Sequence, residues 1–340
     1  MRAMVEFDRV SVVFGAAQDQ ALSLMDQGLS REEIKERTGA VAGVHDATLS
    51  VAEGEILVLM GLSGSGKSTL LRAVNGLLPV ARGEVRLRHQ GDMVAVNRAS
   101  AADLRAMRRE SVSMVFQQFG LLPWRSVADN VAFGLEVAGV PEAERREKVQ
   151  AQLELVGLAD WADRKVAELS GGMQQRVGLA RAFVSDAPVL LLDEPFSALD
   201  PLIRARLQDE LLALQSRLKR TMIFVSHDLD EAFRMGNRIA LMEGGRLVQA
   251  GTAAEIVANP ATPGVAEFVA HMNPLDVLCA RDLADAGLTG QGAPLEGATP
   301  IRKVMDRLLS ADAPVPVTQG GALIGAVSPR AVLARLARAA

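Results

Sequence analysis

A chain of 340 residues, 49% hydrophobic and 23% charged, is long enough to bury a full core with a smaller domain or appendage beside it, and reads as globular. Its formal net charge of -4 shows no basic balance, so nucleic acid is not an expected partner. Its single cysteine, Cys279, closes no disulfide within the chain and fits a reducing compartment, and its most apolar runs, Ile56 to Leu62 and Val189 to Leu192, fall far short of the roughly 20 residues that a membrane span needs. The segment Met1 to Val13 mixes acidic, basic and apolar side chains without the positive head and long apolar core of a secretion signal, so the chain is expected to stay in the cytoplasm.

In chain order, a β-branched run at Val10 to Phe14 predicts the first strand. The segment from Phe14 to Val44 carries helix signals of its own: Ser30 with Glu33 as a capping box and Gly39 as a stop, hence a small helical insertion at about 16–42. Glu55 to Met60 predicts a strand, Ala143 to Val156 a helix, Val189 to Leu192 a strand, Pro201 to Leu218 a helix, and Thr221 to Val225 and Ile239 to Met242 two more strands. That alternation predicts an α/β fold with a largely parallel core sheet. After about Met272 the composition shifts towards Ala, Gly and Pro; Pro314 to Val317 and Ala322 to Val327 predict strands, Pro329 to Ala339 a helix, and a boundary is expected near Asn273. No long-period repeat is visible.

The strand Glu55 to Met60 runs into Gly61-Leu-Ser63-Gly64-Ser65-Gly66-Lys67-Ser68-Thr69, which fits GxxxxGK[ST] and is followed by a leucine-rich helix. Such glycines let backbone N–H groups surround phosphate oxygens; Lys67 adds a point charge and Ser68 a hydroxyl ligand for Mg²⁺. An apolar strand ends in Asp193 and Glu194, where α/β sheets place their ligands. Asp193 suits the Mg²⁺ shell and Glu194 the attacking water. A Gly-rich turn at Leu169-Ser170-Gly171-Gly172-Met-Gln174-Gln-Arg176 enters a further helix whose N–H groups can hold an anion.

With this turn the sequence resembles the ABC ATPase family, across roughly Met4 to Gly251: Leu169 to Arg176 looks like its signature, Gln117 its Q-loop, Ser197 to Asp200 its D-loop, and His227 its switch histidine. The resemblance implies a cassette with a parallel core sheet, an antiparallel N-terminal subdomain and a helical subdomain at about 118–185. It implies ATP and Mg²⁺, hydrolysis at Glu194 and His227, and a head-to-tail pair of copies. In that pair Ser170, Gly171, Gly172 and Gln174 act on the other copy's nucleotide and Asp200 joins the two sites. Gln117, Ser68 and Asp193 would surround Mg²⁺. The family usually stacks adenine on an aromatic residue after the first strand; this chain has no tyrosine, and Phe14 is the candidate, with a core role as the alternative.

Asp26 to Ser30, Thr38 with Gly39, Ser197 to Ile203 and Ser226 to Ala232 resemble the ATP-binding subunits of quaternary-amine importers, and Gln117 to Trp124 and Phe268 to Pro274 resemble their choline branch, with glycine betaine or proline betaine as the alternative. The ATPase domain is then expected over 1–272. The region 273–340 is expected as an appendage resembling one partial CBS half-module, read as a packing or dimer-contact element. The resemblance also implies a separate membrane permease seated near Gln117 to Asn130 with Trp124 at the contact, an extracytoplasmic substrate-binding protein, and a place on the cytoplasmic face of the inner membrane. A soluble ABC ATPase acting on DNA or the ribosome is the rival reading; one phosphate loop, one signature and no sustained heptads argue against it. His45, His89 and His271 lack metal-ligand clusters, and Glu142 to Lys148 reads as a solvated charged face.

Overall fold

The computed structural model describes residues 2–117, 120–197, 199–270, 278–311 and 313–337. The boundary expected near Asn273, together with His271, lies outside them. The strands are β1 (Ala3–Phe14), β2 (Val41–Ala52), β3 (Ile56–Met60), β4 (Arg82–His89), β5 (Asp92–Ala95), β6 (Val112–Val115), β7 (Val189–Asp193), β8 (Thr221–Val225), β9 (Arg238–Glu243), β10 (Arg246–Gly251), β11 (Leu295–Glu296), β12 (Val315–Gln319) and β13 (Ala322–Val327). The helices used below are α1 (Gln18–Asp26), α2 (Arg31–Thr38), α3 (Lys67–Val74), α4 (Ala101–Glu110), α5 (Val127–Val137), α6 (Glu142–Leu155), α7 (Gly171–Phe183) and α8 (Pro201–Leu218). Two compact units emerge, Met1–His227 with Ala240–Leu247, and Asp228–Ile239 with Val248–Ala340.

A four-stranded sheet runs β2-β1-β4-β5 and a six-stranded sheet β10-β9-β3-β8-β7-β6. Pairings β1/β2, β1/β4 and β4/β5 are antiparallel, whereas β3/β8, β8/β7 and β7/β6 are parallel. Every residue of β3, β7 and β8 is buried, as expected of central parallel strands covered on both faces. Because these strands run the same way, Gly61, Glu194 and Ser226, which follow them, emerge at one edge of the sheet.

The first strand is longer than its sequence signal, starting at Ala3, and β2 has no counterpart among the predicted elements. Both belong to an antiparallel sheet whose faces mix polar and buried apolar side chains, so no continuous apolar run marks them.

The insertion folds as α1 and α2 around its own small core, with Val13, Ala21, Leu22, Met25 and Ile34 buried. Ser30 and Glu33 form the reciprocal capping box, and Gly39 ends α2 with φ +69°; capping of this kind contributes about 1 kcal/mol. Asp26 on α1 receives two bonds from Arg82 on β4, at 2.7 and 2.8 Å, and lies 2.9 Å from His45 Nε2 on β2. Those partners hold its carboxyl well below the usual carboxylate range, Arg82 first.

In the second unit, β11-β12-β13 form a separate sheet whose core includes Ile301, Val304, Val315, Val317 and Val327.

Candidate functional site

The phosphate loop is tightly constrained where it leaves β3. Gly61 has φ +140°, and a Cβ there would sit 2.0 Å from the Met242 carbonyl oxygen; Gly66 has φ +99° and a Cβ would sit 2.6 Å from the Gly43 carbonyl oxygen. Only glycine fits both turns, after which α3 begins at Lys67.

Lys67 is 6% exposed, and its ammonium donates to the Gly61 oxygen at 2.8 Å and the Leu62 oxygen at 3.0 Å. Burial lowers its pKa from the ordinary lysine value, and the carboxylates of Glu194 and Asp193 oppose that shift. Ser68 donates from Oγ to Asp193 at 2.7 Å. Asp193 is wholly buried at the end of β7 and is neutralised by Arg72 from α3 at 2.9 Å. A carboxylate this deep needs that partner, because an unpaired buried charge is strongly destabilising.

Glu194 adopts φ +50°, a left-handed backbone that costs a non-glycine residue about 1–2 kcal/mol. Its N–H donates to the Val225 oxygen at 3.1 Å, and Gln175 Nε2 from α7 donates to its carbonyl at 3.3 Å. Strained backbone of this kind clusters at functional sites. The carboxylate accepts from Gln117 Nε2 at 3.3 Å and lies 3.6 Å from His227 Nδ1.

Lys67, Ser68, Gln117, Glu194 and His227 line one open cavity of about 540 Å³, together with Phe14, Arg31, Gly43 and Thr69, and Asp193 reaches it only through its bond from Ser68. Ser63, Gly64 and Gly66 also line it, whereas Gly61 and Ser65 do not, and Ser65 Oγ accepts from the Lys67 ammonium at 3.5 Å. Phe14 is 36% exposed and its ring edge lies against Gly43, so it forms cavity wall rather than core.

Ser170 caps α7, accepting from the Met173 N–H at 3.4 Å, and a Cβ added at Gly171 would meet nothing within 4 Å. Gln174 donates to the carbonyls of Val166 and Leu169 at 3.1 Å each. Asp200 caps α8 through the Ile203 N–H at 3.1 Å. Ser170, Gly171, Gly172, Gln174 and Asp200 do not line the cavity of their own chain.

Sequence reasoning missed Arg31, Arg72 and Gln175. Arg31 reaches from α2 to donate to the Gly64 and Gly43 carbonyls.

Trp124 follows on the surface, 68% exposed. Its loop is pinned by wholly buried Asn130, which donates to the Leu122 and Ser126 carbonyls at 3.0 and 2.8 Å and accepts from the Leu122 N–H at 2.8 Å. Gln118 lies outside the described residues, and no group of three His, Cys, Asp or Glu able to hold a metal occurs among those described. His45 is capped by Asp26, and His89 Nδ1 lies 2.7 Å from Ser111 Oγ. No helix among the described residues is long and apolar enough to cross a membrane.

Residues 44–197 match the family described as ABC transporter. The chain is 49% identical over 284 residues to the ATP-binding protein of the glycine betaine/proline betaine transport system of Escherichia coli (strain K12), covering 84% of this chain and 70% of that protein. It is 44% identical over 331 residues to the ATP-binding protein of the trimethylamine N-oxide transport system of Ruegeria pomeroyi, covering 96% of this chain and 95% of that protein. Among solved structures, a dimeric ATP-binding cassette in a post-hydrolysis state bound to ADP and Pi superposes with a TM-score of 0.63 at 28% identity, covering 73% of this chain and 98% of that one.

Proposed function

Since the chain belongs to the ABC transporter ATP-binding family and is a transport ATPase, we propose that it drives uptake of a small methylated amine of the glycine betaine, proline betaine or trimethylamine N-oxide class. The observation that carries this reading is the end-to-end likeness to the trimethylamine N-oxide subunit, which takes in the appendage as well as the cassette. The solutes of these relatives' transport systems favour the betaine alternative over the choline branch suggested by Gln117 to Trp124 and Phe268 to Pro274.

The test is uptake of labelled glycine betaine, trimethylamine N-oxide and choline in cells lacking this subunit, complemented by the native chain. Restored uptake of either of the first two, with choline unchanged, is the expected result. Restoration of choline alone would return the assignment to the choline branch.

In this reading Lys67 exchanges its bonds to Gly61 and Leu62 for the β- and γ-phosphates of ATP, supported by the N–H groups of the loop and of α3. Ser68, Asp193 and Gln117 offer a hydroxyl, a carboxylate and an amide, an all-oxygen donor set that fits Mg²⁺, and the first two already touch. The ion would neutralise charge on the phosphates as the γ-phosphoryl leaves. Glu194 orients and polarises the water, His227 contacts the γ-phosphate and Phe14 stacks on adenine. Ser170, Gly171, Gly172 and Gln174 face a second copy's nucleotide and Asp200 links the two sites; their absence from their own cavity and the dimeric solved cassette support this.

A permease and an extracytoplasmic binding protein complete the importer, which places this subunit on the cytoplasmic face of the inner membrane. The exposed Trp124, held outward on a loop fixed by Asn130, is the contact we assign to the permease. Aromatic anchors of this kind often contribute 2 kcal/mol or more at an interface. Trp124→Ala should therefore cut uptake by roughly tenfold or more while the transporter's hydrolysis stays within about twofold. Intact uptake in proteoliposomes would remove Trp124 from the contact.

A further inference from the structure

Arg31 belongs to the insertion, yet it is the side chain that links the insertion to the phosphate loop. Its two terminal nitrogens donate to carbonyls from separate segments, Nη1 to Gly64 in the loop and Nη2 to Gly43 in β2. The site is shaped around the guanidinium. A Cβ added at Gly245 would meet Nη2 at 2.4 Å, and one added at Gly66 would meet the Gly43 oxygen at 2.6 Å and Nη2 at 3.5 Å. The absence of a side chain at Gly245 thus makes room for the arginine. Arg31, Ser63 and Gly64 also line a second cavity of about 450 Å³ between the insertion and the loop, so the guanidinium stands in the wall between that space and the phosphate side.

An anion-binding loop works only if its N–H groups face the phosphates and its carbonyls turn away, because an inward carbonyl oxygen would repel a phosphate oxygen. The Gly64 carbonyl is capped by a charged donor, and the same group ties it to the Gly43 carbonyl that crowds Gly66. We propose that Arg31 is a positioning residue of the ATPase, a brace from the helical insertion that holds the phosphate loop in its anion-receiving shape by bridging Gly64 and Gly43. The inference rests on the reading of this cavity as the ATP site. Its bidentate geometry matters as well as its charge, since a lysine ammonium is a point charge that cannot reproduce a planar fork.

The test uses the full chain in three variants, Arg31→Ala, Arg31→Lys and Lys67→Ala. KM and kcat for ATP are measured in each, with ATP affinity in a Glu194→Gln background and a thermal melt without nucleotide. Charge-assisted bonds of this kind support an expected rise in KM of about tenfold for Arg31→Ala, with kcat within about twofold. Arg31→Lys should stay within about threefold of the alanine variant, and it carries the test alone if the alanine variant does not fold. Native KM in Arg31→Ala, full rescue by Arg31→Lys, or a fall in kcat with KM unmoved would each overturn the brace. Native ATP affinity in Lys67→Ala would instead overturn the reading of the cavity, and the inference with it.

Discussion

Glu194→Gln should abolish turnover while nucleotide still binds. The carboxylate is placed by its left-handed backbone, by Gln117 at 3.3 Å and by His227 at 3.6 Å, at the cavity that also holds Lys67 and Ser68. An amide keeps the shape and the capacity for hydrogen bonds but cannot take up a proton at neutral pH. Loss of a general base costs about 10²–10⁴ in rate, so kcat should fall by roughly 10³ with ATP affinity changed little. Phosphate release and ATP binding on the purified chain measure the two quantities separately, and complemented cells should show uptake at background. Turnover within tenfold of native would take Glu194 out of the water-activating role.

Gly61→Ala should act on the fold before it acts on chemistry. The added methyl would lie 2.0 Å from the Met242 oxygen and 2.9 Å from Ser65 Oγ, at φ +140°. Met242 belongs to β9, which neighbours β3 in the sheet, so the clash is backbone against backbone and neither side has a flexible end to move. The loss should exceed about 4 kcal/mol, a large share of a typical domain stability of about 5–15 kcal/mol. Gly64→Ala is the internal comparison: φ is +77°, but nothing lies within 4 Å of the added atom. Its cost should stay near the 1–2 kcal/mol of a left-handed non-glycine residue. Thermal melts of both variants decide the matter. A Gly61→Ala protein melting with Gly64→Ala would mean that β3 and β9 do not approach as closely as described.

Much of the site was legible because its residues are contiguous in sequence. Gly61 to Thr69 announce a phosphate loop through glycine spacing, and Asp193 with Glu194 stand at the end of an unbroken apolar strand. The structure brings the phosphate loop, Glu194, Gln117 and His227 to one cavity, with Asp193 bonded to Ser68. What sequence pattern could not show is who holds them. Arg72 lies 121 positions from Asp193, Gln175 lies 19 from Glu194, and Arg31 lies 33 from Gly64. Each is an ordinary polar residue on a helix, and nothing in its local pattern reports the carbonyl or carboxylate that tertiary folding carries to it. Strand β2 was hidden for a different reason. Its 12 residues alternate imperfectly and include His45, Asp46 and Gly43, so neither an apolar run nor a clean period of two stands out. The capping box at Ser30 and Glu33, by contrast, is a purely local signal, and both of its reciprocal bonds are present.

The depth of Asp193 has a consequence for how this subunit meets changes in salt. Mobile ions screen exposed charges beyond a Debye length of about 8 Å at physiological ionic strength, and buried pairs much less. Asp193 is 0% exposed and Arg72 36%, so their pairing is screened less in added electrolyte than a pair exposed on both sides. Surface pairs such as Arg146 with Glu142, at 81% and 74% side-chain exposure, are screened more. The pair at the end of β7 is thus partly shielded from the medium, and added salt should weaken the charges nearer the surface first.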